Sequence, residues 1–376
     1  MYQDTKCFIN INILIMNKTI FITGGGTGGH LFPAISIGEE LTKKGFSIIF
    51  IGSKHGIEKK QYKKMNLSNY LLNIKGIQRS CSIKSILVNI SFPFKFILSY
   101  INSMLIIRKH RPLAIIGTGG YASGLPLIAG IHSKIPIMIQ EQNSIPGIIT
   151  KSLHKKAYKI FLGSKYAEKI LKNPNTIYTG NPLRENLIIL NKNSCKEKLL
   201  FNKQKRLILF VGGSQGASPI NNHILENINF YLNNNYQILW QTGSYSYKNI
   251  KNTINNKNIK YFKFIDNISE AYSAADIIIS RAGAIAISEI AYFKKATIFI
   301  PLPSSADNHQ QINAECLAKE KACIIVEQNN LMEGKLENSI KNLLSNVSKI
   351  KELENNINKF AKPAAAKNIA NEIINS

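Results

Sequence analysis

The sequence predicts an α/β protein made of two Rossmann-like halves, each with a parallel β-sheet covered by helices. Short apolar runs alternate with helical patterns, which is typical of parallel strands buried on both faces. This alternation begins near Thr19 and begins again near Arg206, and each time the first apolar run leads into a glycine-rich loop. The length of 376 residues is sufficient for two domains of common size.

The first half opens with the apolar run Thr19–Thr23, a glycine loop and a helical pattern from Leu31 to Lys43. Similar apolar runs predict further buried strands at 46–51, 114–117 and 136–140. The second half repeats the order, with a strand at 206–211, a glycine loop at 212–217 and a helix over 221–230. Its later strands are predicted at 236–240, 277–280, 297–300 and 324–326.

The halves are expected to join between Gly180 and Lys205, where a polar stretch interrupts the pattern. The predicted domains are an extension at 1–15, an N-terminal domain at 16–184 and a C-terminal domain at 185–357. The extension is predicted because Met16 directly precedes the first strand pattern. One last helix is expected from about 349 to 374, kinked at Pro363, and its part after about 358 is expected to pack back on the N-terminal domain.

Basic residues far outnumber acidic ones, with 48 Lys and Arg against 22 Asp and Glu and a net charge of +26. This excess favours anionic partners such as anionic lipid or phosphorylated substrates. Lysine-rich and asparagine-rich drift in composition is the alternative cause. Because no dense basic block is interleaved with aromatic residues, the sequence does not predict nucleic-acid binding.

The five cysteines form no CxxC pair and are irregularly spaced, so a reducing compartment is expected. Two uncharged stretches stand out. The first, at 7–15, is too short to span a membrane, and the second, at 113–133, is interrupted by glycines and Pro126. Neither stretch therefore predicts a transmembrane helix.

The loop Gly24–His30 follows a strand and precedes a helix, where backbone N–H groups and the helix dipole favour anions or sugar hydroxyls. It contains the spacing GxGxxG, so a dinucleotide site is an alternative. Such a site needs an acid after the second strand, and the residues after Ile51 are Gly, Ser and Lys. A tight turn with only a packing role also remains open.

Several polar segments follow predicted strands, at the sheet edge where α/β proteins bind ligands. Glu289 lies in a small-residue segment at 280–289 and is a candidate acceptor for a ribose diol, although a solvated helix Glu is the commoner case. The segment at 301–314 is rich in amides and suits sugar hydroxyls or an exposed loop. Comparable segments lie at 117–124, 141–143 and 179–184.

Seven motifs, in this order, resemble those of the MurG family, the peptidoglycan N-acetylglucosaminyltransferases that make lipid II. The resemblance extends from about Met16 to the C-terminus. The motifs are TGGGTGGH at 23–30, GTGGYASG at 117–124, EQN at 141–143, TGNPLR at 179–184, GGSQGA at 212–217, AGAIAISE at 282–289 and DNHQQINA at 307–314.

This resemblance implies a GT-B glycosyltransferase fold, with two Rossmann-like domains whose parallel sheets face a cleft. It implies inverting transfer of N-acetylglucosamine from UDP-GlcNAc to undecaprenyl-diphosphate-MurNAc-pentapeptide (lipid I), which forms lipid II. It also implies a peripheral position on the cytoplasmic face of the bacterial inner membrane. No cofactor and no metal are expected.

The resemblance also implies roles for residues at the matching motif positions. Asn143 and Gln310 are expected at the donor sugar, Arg184 at the nucleotide and Tyr121 on the acceptor side. The first glycine loop is expected at the donor sugar through Thr27, Gly28 and Gly29. The second loop is expected at the nucleotide through Ser214, and Ile265 is expected to contact uracil through its backbone. Diphosphate and ribose contacts are expected from Ala284, Ile285, Ala286, Ile287, Ser288 and Glu289.

An inverting displacement needs a base for the acceptor hydroxyl and stabilisation of the departing UDP. His30 is the first candidate base because imidazole is largely neutral near pH 7, and Glu141 is the alternative. A structural hydrogen bond that shapes the loop is the competing role for His30. The helix dipole after Ala284 is expected to stabilise the diphosphate.

The segment at 84–111 combines apolar residues with Lys84, Lys95, Arg108, Lys109 and Arg111. It is a candidate membrane anchor, and two ordinary core-facing helices are the alternative. For the whole chain, the alternatives are a UDP-GlcNAc epimerase, a glycolipid glycosyltransferase, an NAD-dependent oxidoreductase and a non-catalytic protein that binds anionic lipid.

Overall fold

A computed structural model describes residues 18–76, 92–213 and 216–376, and the chain divides into two compact units. Unit 1 contains the described residues up to Arg184 together with Ala364–Ser376. Unit 2 runs from Glu185 to Pro363. The predicted extension at 1–15 lies outside the described residues.

Unit 1 is built on a parallel sheet with the strand order β3-β2-β1-β4-β5-β6-β7. β1 lies between β2 and β4, so the strand order reverses there, and the loops after β1 and β4 leave the same edge of the sheet side by side. The strands are β1 Thr19–Thr23, β2 Ser47–Ser53, β3 Asn69–Leu72, β4 Ala114–Gly117, β5 Ile137–Glu141, β6 Lys159–Leu162 and β7 Thr176–Tyr178.

Helices cover both faces of this sheet. Successive side chains of each strand point to opposite faces, and because apolar side chains lie on both faces, both need cover. Phe21 belongs to the apolar core on one face, and its neighbours Ile20 and Ile22 belong to the core on the other. The described helices of unit 1 are Gly28–Lys43, Glu58–Lys64, Phe92–His110, Tyr121–His132, Ile148–Leu153, Lys165–Leu171 and Ala365–Ile374, with a 3-10 turn at His154–Lys156.

Unit 2 repeats the plan with the order β10-β9-β8-β11-β12-β13, again entirely parallel. Its strands are β8 Leu207–Val211, β9 Gln237–Gln241, β10 Ile259–Phe262, β11 Ile277–Ser280, β12 Thr297–Phe299 and β13 Ile324–Ile325. Its described helices are Lys192–Lys198, Ser218–Glu226, Ile228–Asn233, Gly243–Thr253, Ile268–Ala274, Ala284–Tyr292, His309–Lys319, Lys335–Ser345 and Val347–Asn358, with 3-10 turns at Ala306–Asn308 and Gln328–Glu333. The predicted pair of parallel α/β halves is confirmed.

The C-terminal region differs from the single kinked helix that was predicted. One helix ends at Asn358 and another begins at Ala365. Pro363 lies between them, and its ring and missing N–H explain why the helix does not continue. The final helix packs within unit 1, where Ile369 joins the core and Glu372 Oε2 lies 2.7 Å from Lys159 Nζ. In the described part of the chain, no helix combines the length and apolarity needed to cross a membrane.

Candidate active site

The first glycine loop connects β1 to the helix Gly28–Lys43 at the point where the strand order reverses. The helix starts three residues before the predicted Leu31, so Gly28 and Gly29 form its first turn. Their N–H groups belong to the helix terminus that has no intrahelical acceptors. Gly26 has a φ of +85°, a left-handed conformation that favours glycine. The N–H groups at the start of this helix, at Gly28 and Gly29, therefore have no acceptor within the helix.

The loop after β4 packs directly on the first loop. Thr118 Oγ1 donates to the carbonyl oxygen of His30 over 2.8 Å. A Cβ atom on Gly120 would lie 2.2 Å from the carbonyl oxygen of Gly25, and one on Gly26 would lie 2.8 Å from the Tyr121 ring. These glycines are needed because the two loops approach each other without space for side chains. The motifs at 23–30 and 117–124 thus form one surface of unit 1.

His30 is held through one ring nitrogen. Its Nδ1 lies 3.0 Å from the carbonyl oxygen of Thr118 and 2.9 Å from Gln142 Oε1. The nitrogen of the Gln142 amide fixes its orientation, because Nε2 donates to Thr118 O over 2.7 Å and to Gln140 O over 3.1 Å. Both groups that face Nδ1 are therefore acceptors, so in the neutral form of the ring the proton belongs on Nδ1 and the lone pair on Nε2.

The Nε2 atom of His30 makes no hydrogen bond within the described residues, whereas Nδ1 has two acceptors. A neutral imidazole with its free lone pair on Nε2 has the protonation state that a general base requires. The two roles considered for His30, base and structural hydrogen-bonding group, therefore use different atoms of the same ring.

Glu141, the alternative base, ends β5 and is buried. Its carboxylate accepts the N–H of Asn143 over 3.0 Å, the N–H of Gly147 over 2.9 Å and the hydroxyl of Thr150 over 2.6 Å. These three bonds hold the turn after β5 and position Asn143. Both carboxylate oxygens of Glu141 are therefore engaged within the turn.

A chain of buried amides connects the TGNPLR motif to this surface. Asn181 accepts from Gln140 Nε2 over 3.1 Å and donates to Gln142 O over 3.2 Å. Gln142 in turn bonds to the side chain of Gln140 and to His30. Gln140 lies in no quoted motif, and sequence patterns did not identify its role. Arg184 lies at the end of unit 1, with its guanidinium 5.3 Å from the centroid of the Phe32 ring.

Glu58 is a second feature that sequence patterns missed. It lies at the start of the helix Glu58–Lys64, yet its carboxylate accepts the N–H of Gly26 from the first glycine loop. Tyr121, the predicted acceptor-side residue, lies above the same loop. Burial raises the pKa of Tyr121, the Ser53 hydroxyl lowers it, and the nearby charge of Glu58 raises it again.

In unit 2 the second glycine loop follows β8. Gly213 and Gly216 both have left-handed φ values, +84° and +86°, and the N–H of Gly216 donates to Gly213 O over 3.2 Å. A Cβ on Gly216 would lie 2.2 Å from the carbonyl oxygen of Thr242. Ser214, predicted to lie at the nucleotide, falls outside the described residues.

Ile265 is tied to this loop by Gln241, which was not predicted. Gln241 Nε2 donates to Gly213 O over 3.0 Å, and its Oε1 accepts the N–H of Ile265 over 3.0 Å. The predicted uracil-contacting backbone is thus held next to the glycine loop, with its N–H already used within the protein. The sequence signal that could have identified Gln241 is a polar residue at the end of an apolar strand. The EQN motif was identified from the same kind of position.

The helix Ala284–Tyr292 follows β11, next to the second glycine loop in the sheet order. Gly283 precedes it without a side-chain cap. Ser288 bonds back to the carbonyl oxygen of Ala284 over 3.0 Å. Glu289 is only 6% exposed, and its Oε2 accepts the hydroxyl of Tyr272 over 3.3 Å. Glu289 is therefore a buried, oriented carboxylate rather than a solvated one.

Gln310 and Arg281 shape the loop after β12. Gln310 Oε1 accepts the N–H of Leu302 over 3.0 Å. Arg281 donates to the carbonyl oxygens of Ile300 and Pro301, each over 3.0 Å, and burial lowers its pKa to about 10. Gln310 was predicted, whereas Arg281 was not, although it lies beside the motif at 282–289.

Comparison with known proteins covers both units. The model of the glycosyltransferase family 28 N-terminal domain matches residues 20–162, and that of the family 28 C-terminal domain matches residues 207–369. A protein of Flavobacterium psychrophilum named UDP-N-acetylglucosamine--N-acetylmuramyl-(pentapeptide) pyrophosphoryl-undecaprenol N-acetylglucosamine transferase is 38% identical over 94% of this chain and 96% of its own. A Bacteroides thetaiotaomicron protein of the same name is 36% identical, with 94% and 96% covered. The chain belongs to the MurG family.

The MurG assignment agrees with the fold. The crystal structure of Acinetobacter baumannii MurG has a TM-score of 0.73 and 24% sequence identity, and the match covers 95% of this chain and 99% of that one. Both units of our MurG-family chain therefore have the α/β architecture of GT-B glycosyltransferases.

The helix Phe92–His110 of this MurG-family chain has an unusual distribution of side chains. Its buried residues are Ser99, Ser103 and Ile107, two of them polar. Phe94 is 73% exposed, and the other large apolar residues on the exposed surface of the helix are Phe96, Ile97, Leu98, Ile101 and Leu105. Lys95, Arg108 and Lys109 lie on the same helix. A concentration of exposed apolar side chains marks an interaction surface. The predicted anchor residues at 84–91 lie outside the described residues.

Proposed function

We propose that this protein transfers N-acetylglucosamine from UDP-GlcNAc to the MurNAc-pentapeptide of lipid I and forms lipid II. The observation that carries this proposal is the match over 94–95% of the chain to three curated relatives that bear this transferase name. The motifs that match are also the ones that hold the candidate site residues. The oxidoreductase and the epimerase are therefore not favoured.

In the proposed reaction, the acceptor hydroxyl attacks the anomeric carbon of the sugar while the bond to UDP breaks. His30 Nε2 takes the hydroxyl proton as the new glycosidic bond forms. The resulting imidazolium keeps its Nδ1–H directed at Thr118 O and Gln142 Oε1, and these two acceptors stabilise the positive charge. Proton transfer by a positioned side chain of this kind accelerates reactions by about 10²–10⁴-fold.

Unit 2 is proposed to hold the nucleotide. The first turn of the helix at Ala284 offers N–H groups and partial positive charge to the diphosphate, and this stabilises the departing UDP. Glu289 accepts hydrogen bonds from the ribose diol. Residues Ala284 to Ser288 line the diphosphate, Ile265 contacts uracil and Gln310 contacts the sugar. The remaining residues are proposed to act as the family resemblance implies. Contacts to the donor sugar come from Thr27, Gly28, Gly29 and Asn143, contacts to the nucleotide come from Arg184 and Ser214, and Tyr121 lies on the acceptor side.

The protein is further proposed to bind peripherally to the anionic cytoplasmic surface of the membrane, where its lipid acceptor resides. The exposed apolar side chains of the helix Phe92–His110 and the residues Lys95, Arg108 and Lys109 of the same helix support this proposal. Apolar side chains insert at the headgroup boundary, and basic residues add roughly 1 kcal/mol each near an anionic surface.

The proposal is tested with UDP-GlcNAc and a short-chain lipid I analogue, following UDP release. We expect UDP release that depends on the acceptor, and a β-linked disaccharide product by NMR. His30→Ala should lower kcat by about 10²-fold or more while the KM for UDP-GlcNAc changes little. Formation of the C2 epimer of UDP-GlcNAc, or UDP release that ignores the acceptor, would contradict the proposal.

A further inference from the structure

A buried carboxylate lies beneath the first glycine loop. Glu58 is 0% exposed, and its Oε2 accepts the N–H of Gly26 over 2.9 Å. Its Oε1 accepts the N–H of Ser53, at the end of β2, also over 2.9 Å. Across the described residues, no Lys, Arg or His forms an ion pair with Glu58. Two backbone N–H groups therefore replace a cation as the partners of this carboxylate.

Glycines create the space that Glu58 occupies. A Cβ on Gly25 would lie 2.5 Å from the carboxylate carbon of Glu58, one on Gly52 2.7 Å from its Cγ, and one on Gly56 2.0 Å from its Oε2. No side chain fits at these positions unless the carboxylate moves. The glycines of the β1 loop and of the segment after β2 thus enclose the Glu58 side chain together.

In the part of the chain that the structure describes, no cation is paired with Glu58. Its negative charge acts on two tyrosines, Tyr62 and Tyr121. Burial and the Glu58 charge raise the pKa of Tyr62, whose hydroxyl is buried without a hydrogen-bond partner in the described structure. Burying a carboxylate is costly unless it is hydrogen-bonded. Such a group is retained only if the two N–H bonds, and the loop geometry that they impose, offset that cost.

Glycine loops that follow the first strand of a Rossmann-like sheet commonly offer their N–H groups to a phosphate of a ligand. Here the protein's own carboxylate takes the N–H of Gly26. We infer that Glu58 is a positioning residue, an internal anion that occupies the first glycine loop and holds Thr27 to His30 in place.

The first test uses Glu58→Ala and thermal unfolding in sodium formate, with sodium chloride at equal concentration as the salt control. Formate is a carboxylate small enough for the vacated space, where the N–H groups of Gly26 and Ser53 remain. We expect formate to raise the unfolding midpoint of Glu58→Ala and to leave the wild type unchanged. Tyr62→Phe is the matched control, because it removes a neighbouring hydroxyl that has no hydrogen-bond partner among the described residues, and it should not respond to formate.

The second test is kinetic and rests on the proposed function. Glu58→Ala should lower kcat at least about tenfold, which corresponds to 1.4 kcal/mol, with a nearly constant KM for UDP-GlcNAc, and formate should restore part of kcat. Glu58→Gln, which keeps the shape but presents an NH₂ group to one N–H donor, should show a similar loss of kcat without rescue. The inference would be overturned if formate did not raise the unfolding midpoint of Glu58→Ala, or if Glu58→Gln had the same kcat as the wild type. The unfolding test needs no substrate, so its result stands apart from that of the proposed function.

Discussion

Asp276→Asn is expected to destabilise unit 2 by about 3–5 kcal/mol near pH 7, the usual cost of removing one partner from a buried ion pair. Asp276 is 5% exposed and lies just before β11. Its Oδ2 lies 2.8 Å from Nζ of Lys196, which is itself 2% exposed, and accepts the N–H of Leu207 over 2.7 Å. Its Oδ1 lies 2.6 Å from Lys192 Nζ and 3.2 Å from Arg206. Asn would leave the ammonium of Lys196 buried without a counter-charge.

The pH dependence follows from the pKa of Asp276. Burial raises this pKa, but Lys192, Lys196 and the N–H of Leu207 outweigh burial and lower it from 3.8 to about 2. A group whose pKa is lower in the folded state stabilises the fold above its unfolded pKa, and this contribution is lost as the pH falls toward 2. At 1.36 kcal/mol per pKa unit, the contribution is about 2 kcal/mol. The stability difference between wild type and Asp276→Asn should therefore narrow by about 2 kcal/mol between pH 5 and pH 2.

Urea unfolding followed by tryptophan fluorescence measures this effect in unit 2. Trp240 is the single tryptophan of the chain, and it is buried on β9 with its Nε1 2.9 Å from Asn221 Oδ1. Glu197→Gln is the control, because it breaks only an exposed pair with Lys203 and should cost under about 1 kcal/mol. An unchanged urea midpoint for Asp276→Asn at pH 7 would refute the reasoning. So would a stability difference that stays constant down to pH 3.

Three further predictions concern the proposed activity. Gln142→Leu should lower kcat about tenfold or more at a nearly constant KM for UDP-GlcNAc, because His30 loses one of the two acceptors that hold the proton on Nδ1. The ¹⁵N NMR spectrum of His30 should then show a mixture of tautomers. An unchanged tautomer together with an unchanged kcat would contradict this role of Gln142. Glu289→Gln should weaken UDP-GlcNAc binding by about tenfold in calorimetry, since hydrogen bonds to charged groups contribute about 1.5–3 kcal/mol; equal affinity would exclude Glu289 from the ribose. Charge reversal at Lys95, Arg108 and Lys109 of the helix Phe92–His110 should reduce binding to phosphatidylglycerol vesicles but not to phosphatidylcholine vesicles. If the variant bound phosphatidylglycerol vesicles as well as the wild type does, the anchor would be rejected.

The strands that were predicted have a local signal, whereas β3, β6, β7 and β10 were not predicted. The run Thr19–Thr23 was placed correctly, since a strand covered on both faces needs uninterrupted apolar residues. The first helix was predicted from Leu31, whereas it begins at Gly28. Low helix propensity made the two glycines resemble loop residues. At a helix N-terminus, however, glycine leaves N–H groups accessible, and this is the property that the site needs.

The residues that were missed depend on contacts between distant parts of the chain. Glu58 stands beside two lysines and reads as part of a solvated helix, but Gly26, 32 positions earlier, gives it a buried partner. Gln241 bonds to Gly213, 28 positions away, and Arg281 to Ile300, 19 positions away. Such partners follow from the strand order, since adjacent strands in each sheet bring these loops together. A single sequence does not contain that order in any local pattern.

The choice between a base and a structural role for His30 shows most clearly what the sequence left open. Both roles predict the same residue type in the same loop, so residue identity does not separate them. The structure assigns the structural role to Nδ1, through Thr118 and Gln142, and leaves Nε2 without a partner in the described residues. The amide of Gln142 faces the ring with oxygen because its nitrogen is directed at Thr118 O and Gln140, and Asn181 fixes Gln140 in turn. A fixed order of amides, from TGNPLR through EQN to the first glycine loop, thus determines which nitrogen of His30 is free to accept a proton.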